Sequence, residues 1–166
     1  YKHDSPYTYF SSSEVHLGEI SLECSRAGAS AVALWATQRL MPLVPGGQFA
    51  TGLEKSRQAA LSLFGRLESS SRFRTALRPE LDIVNWAPRA RSASGISRLS
   101  RDVFERSAKR DLHLALATLP DELLGESWAD IEWDQSQIVC LRSCLMKPEH
   151  LDWLDQIWQL LAQATP

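Results

Sequence analysis

The chain has 166 residues and a mass of 18.6 kDa, enough for one domain that buries roughly 70% of its unfolded surface and too few for two full-sized ones. Apolar residues make up 44% and charged residues 23%, which excludes a disordered, collagen-like or supercharged chain. Eighteen Lys and Arg against twenty Asp and Glu give a net charge of −2, so no global basic field exists to capture nucleic acid or an anionic membrane.

No apolar run approaches the roughly 18 residues of a membrane-spanning helix, and no basic-then-apolar leader opens the sequence. The reading is a soluble, cytoplasmic chain with no membrane partner. Its opening, YKHDSPYTYFSSSE, is polar, aromatic and without periodicity, and residue 1 is Tyr rather than Met, as if a longer chain had been entered midway. Cys24, Cys140 and Cys144 form no CxxC pair and read as reduced core residues, with Cys140 and Cys144 on one face if 138–145 is a strand.

Over 26–41, Ala29, Val32, Ala33, Ala36 and Leu40 recur at helical spacing until Pro42 and Pro45 end the stripe. Small residues crowd its start, where the backbone can approach a neighbour closely. A second helix is predicted over 51–67, with Leu53, Ala60, Phe64 and Leu67 on its apolar face and Thr51/Glu54 spaced as a capping box. Phe73 and then 81–86 read as short strands, and 87–95 has the Ser/Pro/Gly content of a loop. Ile96, Leu99, Val103 and Phe104 define a third helix. The alternation of Leu112, Leu114 and Leu116 with His113, Ala115 and Ala117 marks a strand. Ala129, Ile131 and Trp133 alternate in the same way, and with the apolar run 138–145 they predict a hairpin across Gln135-Ser136. Pro148 opens a last helix carrying Leu151, Leu154, Ile157, Trp158 and Leu161. Short strands with a few amphipathic helices predict an α/β fold: a two-layer sandwich of a small, mostly antiparallel sheet covered by helices.

No catalytic motif is complete. There is no P-loop, no GxSxG and no glycine-rich turn after a strand, and His3, His16, His113 and His150 lack metal-ligand spacing with the cysteines, so no metal is expected. Arg89, Arg91, Arg98 and Arg101 lack interleaved aromatics and are diluted by Asp102 and Glu105, which argues against nucleic-acid binding. Arg26 is more informative, because it places a fixed cation just before a helix of small residues. Its planar fork matches a carboxylate with two parallel hydrogen bonds, and the free amides of a helix start add positive potential. Pairing with a nearby Asp or Glu is the plainer alternative.

The run LECSRAGASAVALWATQRL, residues 22–40, closely resembles the segment after the Schiff-base lysine in the group II pyridoxal-phosphate-dependent decarboxylases, the glutamate, tyrosine and aromatic amino acid decarboxylase family. LDIVNW (81–86) resembles that family's first small-domain strand, IVCLRSCLM (138–146, with Arg142) its late strand, and PEHLDWL (148–154) its closing helix. The resemblance implies the C-terminal part of a fold type I enzyme: residues 1–25 the end of the large domain with a mobile active-site loop, 26–47 a connecting helix and linker, and 48–166 the small domain. It further implies pyridoxal 5'-phosphate as cofactor, an L-amino acid substrate, release of CO2 and a homodimer.

By the same resemblance Arg26 matches the arginine that holds the substrate α-carboxylate. Tyr7 or Tyr9 falls where relatives carry a loop tyrosine that returns a proton to the substrate carbon. None of Lys2, Lys55, Lys109 and Lys147 resembles the Schiff-base lysine, which is expected upstream, so this chain by itself is expected to be inactive. Other reactions of the same family, or a non-catalytic α/β interaction or regulatory module, are the alternatives.

Overall fold

In the computed structural model of the chain, residues 27–166 are described. The chain divides into two compact units between Ala50 and Thr51.

In the first, helix α1 (Ala27–Leu40) forms where the small-residue run removes side-chain obstruction. The Thr37 hydroxyl donates to the Ala33 carbonyl at 2.9 Å, and the Arg39 guanidinium lies over the Trp35 ring at 5.0 Å. The helix stops before Pro42, which lacks the N–H to continue it. Gly46 then takes the left-handed conformation, φ 73°, at the turn that releases the chain into the next helix. Val32, Leu34, Trp35 and Leu40 are exposed.

The second unit is built on a four-stranded antiparallel sheet of order β1-β2-β4-β3: β1 Phe73–Thr75, β2 Ile83–Pro88, β3 Ala115–Pro120 and β4 Gln137–Cys144. Helix α2 (Gln48–Glu68) precedes it, α3 (Ala93–Ala108) links β2 to β3, a single turn α4 (Asp121–Leu124) follows β3, and α5 (Leu154–Ala164) closes the chain. Because β2 and β3 are both antiparallel to β4, they run parallel to each other on either side of it. The β2–α3–β3 connection is therefore a split βαβ unit with β4 inserted.

Strand alternation sends neighbouring residues of β4 to two different cores. Leu141 joins the larger one, with Val84 and Trp86 of β2, Phe73, Ala60, Leu63 and Leu67 of α2, Val103 of α3 and Leu161 of α5. Ile138 and Cys140 join the smaller one with Ala87, Ile96, Leu124, Trp128 and Ile131. Trp86 anchors the larger core: its ring meets Phe73 edge-on at 5.1 Å, and its indole N–H donates to the buried Ser143 hydroxyl at 3.0 Å. The α/β class, the antiparallel sheet and the helical cover are those expected from the sequence.

Five local expectations change. The hairpin of 129–134 with 138–145 does not form, because both edges of β4 are taken by β2 and β3; within 129–134 Ile131 is buried, and the segment's β-bridge among the described residues is Glu132 with Ser92. The strand expected around 112–116 is Ala115–Pro120, and Leu116 is exposed. Helix α2 begins at Gln48, so Thr51/Glu54 is no capping box, and Leu53 is exposed while Ser56 and Ala59 are buried. Ala87 and Pro88 end β2 instead of opening a loop, and Pro148 starts a 3-10 turn (Pro148–His150) that is separate from α5.

Candidate functional site

Arg26, Tyr7 and Tyr9 lie outside the described residues. The described part contributes a different candidate. Asn85 of β2 and Arg142 of β4 are register partners, and Ala115 of β3 stands on the other side of Arg142. The three share one row, so their side chains leave the same face of the sheet. Near the row the same face carries Ala87, Ala117, Cys140 and Cys144, with Ile83 opposite Cys144.

Both polar side chains are half-buried. Asn85 Oδ1 and Arg142 Nε are shielded from solvent and have no hydrogen-bond partner among the described residues. A guanidinium carries a charge that cannot be left off at any accessible pH, and burying any part of it without a partner is costly. An arginine on the central strand, flanked by small residues and without a carboxylate of its own among the described residues, is therefore ready for an incoming carboxylate or phosphate. Asn85 adds an amide that can donate beside it.

The lysines do not make a cradle for an aldehyde cofactor. Lys55 on α2, Lys109 at the end of α3 and Lys147 after β4 are all exposed, whereas an imine-forming lysine is held in a desolvated pocket that keeps its amine neutral. The described residues thus do not fit pyridoxal phosphate by themselves. Among them, no three His, Cys, Asp or Glu side chains stand close enough to hold a metal ion. Cys140 and Cys144 are free thiols, and burial pushes Cys140 up to about 12, which leaves it protonated and inert. Arg98 and Arg101 are exposed on α3. No helix is long and apolar enough to cross a membrane, among the described residues.

Sequence reasoning noticed Arg142 as part of a strand and did not see its isolation. The available signal was a single charge inside an eight-residue apolar run, which strand parity places beside whatever β2 presents opposite.

No protein-family model matches the sequence, and no curated protein does. Solved structures do match in fold. Catharanthus roseus tryptophan decarboxylase in complex with L-tryptophan superposes with a TM-score of 0.59 at 14% identity, over 81% of this chain and 26% of that one. Oryza sativa TDC with PLP and tryptamine gives 0.58 at 14% identity, over 79% and 25%. The glutamate decarboxylase domain of a Vibrio parahaemolyticus diaminobutyrate-pyruvate transaminase and L-2,4-diaminobutyrate decarboxylase gives 0.50 at 13% identity, over 80% and 26%. The α/β fold of this chain is therefore that of one part of these decarboxylases, as the sequence resemblance implied. The chain spans about a quarter of the length of each.

Proposed function

We propose that this chain is the small-domain part of a pyridoxal-phosphate-dependent amino acid decarboxylase that releases CO2 from an L-amino acid. The observation that carries the reading is the fold, shared over about four-fifths of the chain with the plant and bacterial decarboxylases above. In this reading the cofactor and its Schiff-base lysine are held by protein outside the described residues, and the enzyme is a cytoplasmic homodimer. This chain contributes guanidinium groups that hold the substrate carboxylate. Arg26, just before α1 in the sequence, is one candidate, and Arg142, without a partner among the described residues, is another. Tyr7 or Tyr9 is the candidate proton donor.

Orientation is the reason a decarboxylase needs such a group. A carboxylate gripped by a planar fork is fixed in rotation as well as position, and the scissile bond is held in the geometry that reacts. The test uses the full-length enzyme with Arg26→Ala and Arg142→Ala made separately, following CO2 release from a panel of L-amino acids. Loss of a charge-assisted carboxylate contact costs about 1.5–3 kcal/mol, so the variant at the true contact loses at least about tenfold in kcat/KM. Absence of CO2 release from every amino acid by the unmodified enzyme defeats the functional reading. Unchanged kcat/KM in both variants removes the assigned roles.

A further inference from the structure

We propose that the cleft between β1, the end of α2 and the turn after α4 is a binding site for small oxyanions, phosphate or dicarboxylate, whose place Asp130 fills from within the chain. The cleft encloses about 330 Å³ and is lined by Phe64, Glu68, Phe73, Arg74, Arg89 and Trp128.

The pair at its centre is lopsided. The Arg74 side chain is nine-tenths buried, while that of Asp130 is 64% exposed. Arg74 stands on β1 with its guanidinium 5.9 Å from the centre of the Trp128 ring, and that ring is itself pinned by its N–H donating to the Thr75 carbonyl at 3.0 Å. Asp130 arrives from a surface turn and meets the guanidinium in a two-pronged contact, Arg74 Nη1 donating to Oδ1 at 2.7 Å and Nη2 to Oδ2. The cation is thus built into the fold, and the carboxylate is a tethered ligand in the position a free oxyanion would take.

The site also has unused capacity. Arg74 Nε is shielded from solvent and has no acceptor among the described residues, so one donor of the fork is unspent. Arg89, exposed at the end of β2, lines the same cleft close enough to help stabilise the Asp130 carboxylate. With Asp130 swung out, two guanidiniums face one carboxylate, that of Glu68, leaving one net positive charge. A group with several anionic oxygens can bridge Arg74 and Arg89, which the single carboxylate of Asp130 does not do. Phosphate and dicarboxylates have that chemistry; chloride does not.

The test is a titration of the ¹⁵N-labelled chain with inorganic phosphate and, separately, succinate, at ionic strength held constant with chloride. The Arg74 Nε–H and Trp128 Nε1–H resonances are followed. A saturable shift with either probe supports the site, and the probe that saturates assigns it to phosphate or to dicarboxylates. Asp130→Asn removes the internal competitor and is expected to tighten binding by about tenfold, because the open state becomes the populated one. Arg89→Ala, at an exposed position, is expected to weaken it by a similar factor. Shifts that stay linear and match chloride for both probes overturn the proposal, as does an unchanged affinity in Arg89→Ala even if Asp130→Asn does not fold.

Discussion

The buried serine of α3 shows how much one hydroxyl can organise. Ser97 Oγ donates to the Ala93 carbonyl at 2.9 Å and accepts from the Val139 amide at 3.0 Å and the Gln135 side chain at 2.8 Å. It thereby ties the split βαβ helix to the strand that β2 and β3 enclose. Ser97→Ala strands a backbone donor, and urea unfolding is expected to show a loss of about 1–3 kcal/mol. The two described cysteines make a second contrast. Alkylation of the folded chain at pH 8 is expected to modify Cys144, which is half-exposed, and to spare Cys140, whose thiol burial holds at about 12; peptide mapping separates them. Asp130 and Asp134 give the acid response. Each is held below the ordinary carboxylate value of 3.8, Asp130 by hydrogen bonds from Arg74 and Asp134 by those from Ser94. A depressed folded-state pKa means stability that is present above the unfolded value and is lost as pH falls through the folded one. Tm is therefore expected to drop on acidification below about pH 4, and the slope of that drop to flatten in Asp130→Asn.

At the scale of elements, the position of a strand decides what its side chains are worth. Leu141 and Leu116 are cross-strand partners of the same residue type, yet Leu141 is fully buried on central β4 and Leu116 is 37% exposed on edge β3. Leu141→Ala is expected to cost about 2–5 kcal/mol through lost transfer energy and a residual cavity. Leu116→Ala is expected to cost under about 1 kcal/mol, and denaturant midpoints compare the two. Element type was legible wherever periodicity was long. Helices α2, α3 and α5 and strands β2 and β4 form where the periodicity placed them, with their ends shifted and Leu53 of α2 exposed. The 129–134 segment was not legible, because Ala129, Ile131 and Trp133 have the alternation of a strand and lack a free edge to pair with. Arg142 was visible as a charge in an apolar run, but its isolation was not, since that depends on β2 placing Asn85 and β3 placing Ala115 beside it.

For the molecule as a whole, both cores are assembled from Ala59 onward, and all four strands lie after that point. A chain of residues 48–166 is therefore expected to fold alone, with one cooperative urea transition seen alike by circular dichroism and tryptophan fluorescence. Separate transitions by the two probes count against a self-sufficient unit.

Composition and periodicity determined an α/β chain of ordinary charge, its helix stripes and its main strands, and the separate run of residues 22–40 carried the family resemblance. These follow from local causes: which backbone states a residue favours, and which spacing lines up apolar side chains. Only the tertiary structure decided the strand order, the split βαβ unit, the clasp of Arg74 by Asp130 and an Arg142 without a partner among the described residues. Each depends on residues far apart in sequence, 56 positions for the clasp and 57 for the Trp86–Ser143 bond, and such pairs are chosen by closing the sheet and filling both cores at once, which no local window encodes.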